Sequence, residues 1–254
     1  MLSSLYSCIK QKPLQAETKT NETGYSQSIL TIMEKAQLPE SISKKIFNSL
    51  SINSSFFTDL SSCLREDPYL RILVDKEHPL DSGYEPDDLI GLKNASYRVN
   101  RNDLTLRSAA AASLEEMART AKEAGLTLLA SSAYRSFEYQ TTVYERNVRE
   151  MGKTAADRES ARPGHSQHQL GLVIDFGSID DSFARTKESQ WLSANASRYG
   201  WSLSYPEEYE SLTGYRWESW HYRYVGKELA YFIDTWFDGI QQHALRFIHE
   251  YEKS

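Results

Sequence analysis

Large apolar side chains are scarce where the chain begins. From Lys10 to Ser28 the sequence KQKPLQAETKTNETGYSQS offers too little to bury, so residues 1–27 are expected to form a disordered tether. The pattern changes at residue 28. Ile29, Ile32 and Met33 share a helical stripe, Pro39 stands where a helix can start, and Ile42, Ile46, Phe47 and Leu50 follow at helical spacing. Phe56, Phe57, Leu60, Cys63 and Leu64 make a third stripe, so 28–69 is expected to be a helical extension packed on the main domain, with Cys63 a small core hydrophobe.

From Leu70 onward helical and strand periods alternate irregularly. Leu106 to Ala124 reads as an Ala-rich helix with Ala109, Leu114, Met117 and Ala121 inward, stopped by Gly125. Leu126 to Ser131 reads as a strand. Ser136 to Met151 reads as a helix with Tyr139, Val143, Tyr144 and Val148 on one face. Leu172 to Phe176 is a short apolar strand broken by one acid, Asp175. Phe183 to Tyr199 reads as a helix, Trp201 to Tyr205 and Trp220 to Val225 as strands, and Lys227 to Glu252 as a long C-terminal helix with a break at Gly239. No regular βαβ period runs through this order, so residues 70–254 are expected to be one α+β domain.

Composition narrows the chemistry. Lys plus Arg is 29 against 35 Asp plus Glu, a net charge of −6, which argues against nucleic acid as a partner. No apolar run is long enough to span a membrane. Two cysteines, Cys8 and Cys63, exclude a disulfide framework and a cysteine-rich zinc module, so any metal falls to His and carboxylates.

Of the six histidines, His78, His165, His243 and His249 lack a chelating pattern, and His168 and His221 stand beside acids. His168 lies seven residues before Asp175 in Ser166-Gln167-His168-Gln169-Leu170-Gly171-Leu172-Val173-Ile174-Asp175. A carboxylate in an apolar strand is costly unless paired or bound to a metal. Gly171 lets the chain bend back so that imidazole and carboxylate can converge. Read alone, Asp175 serves equally to hydrogen-bond backbone or an Arg. In Glu218-Ser219-Trp220-His221-Tyr222-Arg223, Glu218 must sit on a bend before the strand if it shares a site with His221. Otherwise it pairs with Arg216 or Arg223. Arg135, between a strand and a helix capped by Ser136, suits a fixed fork for a carboxylate or polarised carbonyl, or a structural salt bridge.

Together the segments Tyr134-Arg135-Ser136-x-x-x-Gln140, Ser166-x-His168-x-x-Gly171-x-x-x-Asp175 and Glu218-x-Trp220-His221-x-Arg223-Tyr224-Val225 resemble the VanY-type D-alanyl-D-alanine carboxypeptidases. The likeness covers about Leu70 to Ala230, with the three motifs in the family's order. It implies the LAS-type zinc peptidase fold, a small antiparallel sheet flanked by helices. It implies zinc held by His168, Asp175 and His221, with Glu218 as catalytic base and with Arg135, Gln140 and Ser166 as substrate contacts. It implies removal of C-terminal D-alanine from peptidoglycan stem peptides, at a D,D or L,D bond, outside the cytoplasm. His165, Leu170 and Ser204 depart from the family's usual residues without removing a ligand. Other functions stay open: a peptidoglycan endopeptidase of the same fold, or a non-catalytic zinc-containing module that binds wall peptides, although a structural site needs no base such as Glu218.

Leu5-Tyr6-Ser7-Cys8 is similar to the end of a bacterial lipoprotein signal. Only a stub of the apolar run such a signal needs precedes Cys8. A lipidated Cys8 that anchors the tether to a membrane and a merely frayed N-terminus are both compatible with it.

Overall fold

A computed structural model of the chain describes residues 28–50, 55–93 and 96–254. The expected tether over 1–27, with Cys8, lies outside the described residues. Three helices come first: α1 over 28–35, α2 (Glu40–Leu50) and α3 (Ser55–Arg65). The elements that follow are β1 (Leu89–Gly91), β2 (Arg98–Val99), β3 (Thr105–Arg107), α4 (Ser108–Glu123), β4 (Leu129–Ser132), α5 (Phe137–Met151) and α6 (Lys153–Glu159). The chain then runs through β5 (Val173–Phe176), α7 (Lys187–Asn195), β6 (Trp201–Leu203), α8 (Glu210–Thr213), β7 (His221–Tyr224), α9 (Lys227–Trp236) and α10 (Gln241–Glu252).

The central sheet has the order β2-β4-β5-β7-β6 and is antiparallel except at its β2–β4 edge. β1 and β3 pair separately as a two-stranded ribbon. Strand alternation divides the sheet into two chemistries. Leu172, Ile174 and Phe176 of the β5 segment and Tyr222 of β7 join the core formed with Ala110, Leu114, Met117 and Ala121 of α4. Asp175 and His221, the intervening residues, stand directly opposite one another on the other face. Each large apolar side chain buried this way contributes about 1.5–3 kcal/mol.

The N-terminal helices do not pack on the sheet. Ile29, Ile32, Ile42, Ile46, Phe56 and Leu60 form a second core with residues of α9 and α10. At its centre the Phe56 ring lies 5.4 Å from Phe232, 5.2 Å from Trp236 and 5.5 Å from Phe247, centroid to centroid. Cys63 is buried among these side chains, and burial pushes its thiol up to about 12. The first and last described helices therefore close on each other as one helical layer. Glu66 reaches the N-terminus of α9, where burial raises its pKa and the nearby backbone of Leu229 and Glu228 partly offsets that. Any Cβ on Gly226 would lie 2.6 Å from Glu66 Oε2.

The C-terminal helix breaks where Gly239 was expected to interrupt it, into α9 and α10, with Asp238 and Gly239 in the left-handed region at φ 54° and 78°. Other expected elements differ in detail. The helix expected over 183–199 is three pieces, because 3-10 turns flank α7. Phe47 is exposed, as is Tyr139 on α5, where Gln140 is the buried residue. Among the described residues no helix is long and apolar enough to cross a membrane.

Candidate metal centre

Three short pieces of chain build the site. Asp175 projects from β5 and His221 from β7, brought opposite by the antiparallel register. His168 sits on the 3-10 turn Gln167–Leu170, where Ser166 caps the turn by accepting from the His168 N–H. Gly171 ends that turn at φ +69°, and a Cβ there would lie 2.9 Å from Leu89 Cδ2. This left-handed position, open to glycine, turns the chain so that His168 faces Asp175.

The donor atoms converge. His168 Nε2 is 3.2 Å from Asp175 Oδ2, and His221 Nδ1 is 3.1 Å from Asp175 Oδ1. One ligand atom from each of the three residues fits within a set no more than 4.8 Å apart. All three side chains are buried, yet His168 Nε2 and Asp175 Oδ1 make no properly aligned hydrogen bond. Two buried orphaned polar atoms facing a third donor are what a cation would satisfy. Nitrogen and carboxylate oxygen in a set of three suit zinc with one position left open. The far nitrogen of each ring is occupied: His168 Nδ1 lies 2.6 Å from Ala133 O, and His221 Nε2 lies 3.4 Å from Gln167 Oε1.

Glu218 does lie on a bend. Its carbonyl accepts from the His221 N–H at 3.2 Å, closing a turn, and its Oε2 comes 3.3 Å from His221 Nδ1. The alternative partners are engaged elsewhere. Arg216 pairs with Glu159 and Asp181, each at 2.6 Å, and Arg223 donates from deep burial to Leu70 O and Ile72 O. Arg135 follows β4, its N–H donating to His168 O at 3.3 Å and its Nη2 lying 3.9 Å from Asp175 Oδ2.

Burial and neighbours set the protons. Burial drives His168 down to about 4, with the Arg135 charge adding to it. Burial pushes His221 the same way, but hydrogen bonds to Asp175 and Glu218 outweigh it and raise the ring to about 9. Burial pushes Asp175 up, and its contacts with His168 and His221 reverse that and hold the carboxyl well below the usual range. Glu218 is raised, mainly by burial, so its carboxyl is readier to take a proton than an exposed one.

The site opens into a cleft of about 390 Å³ lined by Arg135, Asp175, Glu218 and His221. Tyr139, Val143 and Met151 of α5 line it too, so two residues of the face expected on that helix, Tyr139 and Val143, form a cleft wall. Two of the expected substrate contacts take part in hydrogen bonds within the protein. Gln140 is buried outside the cleft lining, its Nε2 donating to Ala161 O at 2.6 Å. Ser166 is buried likewise, its hydroxyl accepting from His168 N at 3.3 Å. Gln167, Ser204 and Gln241, which carried no chelating or acid–base signature in the sequence, form a buried amide and hydroxyl cluster behind His221.

The family model for VanY, D-alanyl-D-alanine carboxypeptidase, matches residues 103–227. The putative carboxypeptidase YodJ of Bacillus subtilis is 32% identical over 229 residues, 85% of this chain and 81% of that protein. The bifunctional D-Ala-D-Ala dipeptidase and carboxypeptidase VanXYC of Enterococcus gallinarum is 30% identical over 70% of this chain and 93% of its own. Among solved structures, the LdcB LD-carboxypeptidase superposes with a TM-score of 0.64 at 31% identity, covering 74% of this chain and 88% of that one. A VanY D,D-pentapeptidase from a VanB-type vancomycin resistance cassette, in complex with Zn(II), superposes at 0.58 and 29% identity, covering 70% and 98%.

Proposed function

The chain belongs to the VanY family of zinc-dependent carboxypeptidases, and on that premise we propose that it removes C-terminal D-alanine from peptidoglycan stem peptides outside the cytoplasm. The observation that carries this reading is the convergence of His168, Asp175 and His221, with Asp175, His221 and the buried Glu218 carboxylate lining a cleft and His168 buried behind them. His168 through Nε2, Asp175 through a carboxylate oxygen and His221 through Nδ1 would hold the metal. Zinc bound there supplies Lewis-acid chemistry, polarising the scissile carbonyl and making water acidic enough to be deprotonated near neutral pH.

The chain's own groups do the rest. Glu218 Oε2 takes the proton of the attacking water and then delivers it to the leaving amine, a role suited to its raised pKa. Arg135, held by its backbone between β4 and α5, directs its guanidinium toward the oxyanion that develops on the substrate carbonyl. Gln140 and Ser166 keep the 160–161 segment and the His168 turn in place behind the wall. The test is incubation of the purified protein with muropeptides, with and without a chelator, and identification of products by mass. Loss of one terminal alanine from tetra- or pentapeptides, abolished by chelator and restored by zinc, supports the reading. Cleavage of cross-links alone would assign an endopeptidase, and zinc binding without cleavage a non-catalytic module.

Lipidation of Cys8, with 1–27 as a tether, would hold such an enzyme at the membrane surface. Mass spectrometry of the protein from its native host, showing unmodified Cys8, would remove the anchor.

A further inference from the structure

The nitrogen that His221 presents to the site is decided by a chain of neutral groups running back to the C-terminal helix. Gln241, on the first turn of α10, donates from Nε2 to the backbone carbonyl of Ser202 at 3.2 Å. A carbonyl only accepts, so this contact fixes the Gln241 amide with Oε1 turned the other way. Gln241 Oε1 faces Gln167 Nε2 at 3.4 Å and the Ser204 hydroxyl at 3.3 Å. An acceptor facing Gln167 fixes that amide in turn. Its Oε1 points to His221 Nε2 at 3.4 Å and receives the Ser204 hydroxyl at 2.7 Å. In the neutral ring that a metal requires, His221 Nε2 must then carry the proton, which leaves the Nδ1 lone pair directed at the site. Gln167, Ser204, Gln241 and His221 are all under 5% exposed, so water does not reorient them.

We infer that Gln167 and Gln241 are positioning residues for the metal centre, an amide relay that fixes the tautomer of His221 from the backbone carbonyl of Ser202. The inference rests on the reading of His221 as a ligand through Nδ1. It makes α10 part of the site although Gln241 lies beyond residues 103–227, the span matched by the family model. Neither residue touches substrate. Each acts through the ring it orients, as groups behind metal-bound histidines do.

The experiment measures the zinc dissociation constant of the full chain by competition with a chromogenic chelator, together with apo-protein thermal unfolding. Gln167→Met and Gln241→Met keep side-chain length and remove the hydrogen bonds. Each is expected to weaken zinc binding about 10- to 100-fold. Gln167→Glu presents an acceptor to His221 whichever way the carboxylate turns, so it should bind zinc at least as tightly as wild type. In that background Gln241→Met should cost nothing further in zinc affinity, because a symmetric carboxylate has no wrong orientation for Gln241 to prevent. A merely structural Gln241 would lower affinity equally in both backgrounds, and that result would overturn the relay. Zinc binding as tight as wild type in both Met variants would overturn it as well, provided His221→Ala binds weakly. If His221→Ala itself binds zinc like wild type, the ligand reading fails, and the relay with it. Should Gln167→Met fail to fold, the comparison within the Gln167→Glu background still decides.

Discussion

Glu218 and Arg135 lie against the same buried carboxylate cluster, yet their substitution should separate cleanly. Glu218→Gln keeps the size and a hydrogen-bonding oxygen near His221 and removes the base. Turnover is expected to fall by at least about 10²-fold, the scale of a lost general base, with zinc content and thermal stability held. Single-turnover rates and metal analysis on the same preparation check this, and near-wild-type turnover would mean Glu218 is not the base. Arg135→Lys keeps the positive charge and loses the two-point fork. Arg135 Nη2 lies 3.9 Å from Asp175 Oδ2, beyond a direct hydrogen bond, so the guanidinium has donors left for substrate. We expect kcat/KM to fall by about tenfold or more, the order of one transition-state hydrogen bond, with zinc affinity unchanged. Wild-type kcat/KM in Arg135→Lys would show that charge alone suffices. At this scale much of the site was legible, because chemistry that conflicts with its surroundings stands out in a sequence: Asp175 inside an apolar strand is one case. The neutral residues were not legible. Gln167, Ser204 and Gln241 carry no charge and no metal-ligand pattern, and their meaning comes only from which neighbours face them in space.

The elements were legible where period and punctuation agree. Ser136 caps α5 by accepting from Tyr139 N, and Gly125 and Gly200 stop helical segments in the left-handed conformation. Periodicity marks a special face but does not name what covers it. The α5 stripe of Tyr139 and Val143 lines the cleft, and the stripes of α1 to α3 find their partners some 180 residues away in α9 and α10. The same remoteness governs Asp75. It lies in a loop, yet its carboxylate accepts from the N–H groups of Glu77 and His78, from His78 Nδ1 at 2.7 Å and from Gln242 Nε2 of α10 at 2.6 Å. Burial raises its pKa, and these donors outweigh burial and leave it lowered. A lowered folded value means the unfolded chain binds the proton more readily. The contribution is therefore complete above the unfolded carboxylate value of about 4 and drains away as pH falls through the folded value. Asp75→Asn should unfold at a lower temperature than wild type at pH 6, and the gap should close as pH drops below about 4. Unfolding curves of both proteins at constant ionic strength check this, and a gap independent of pH would exclude the charge as its cause.

The charge of the whole molecule and that of its cleft have opposite signs. The chain carries −6 overall, while Arg101, Arg135, Arg146 and Arg216 line the cleft against Glu159, Asp175 and Glu218. A divalent cation on the floor makes the local field more positive still. A stem peptide ending in a free carboxylate is therefore repelled by most of the surface and drawn toward the opening, a focusing effect that raises encounter rates. Screening acts over about 8 Å at physiological ionic strength, so this steering is open to salt in a way that contacts inside the cleft are not. Raising salt from about 0.05 to about 0.5 M should lower kcat/KM on the order of tenfold, chiefly through KM, with kcat nearly constant. Arg146 lines the cleft and carries no role assigned to the chemistry, so Arg146→Glu should raise KM at low salt and flatten the salt dependence. Initial rates across a salt series for both proteins decide the matter. If kcat falls instead while KM holds, salt is acting on the reacting groups or on the metal, and the cleft's arginines are not steering substrate.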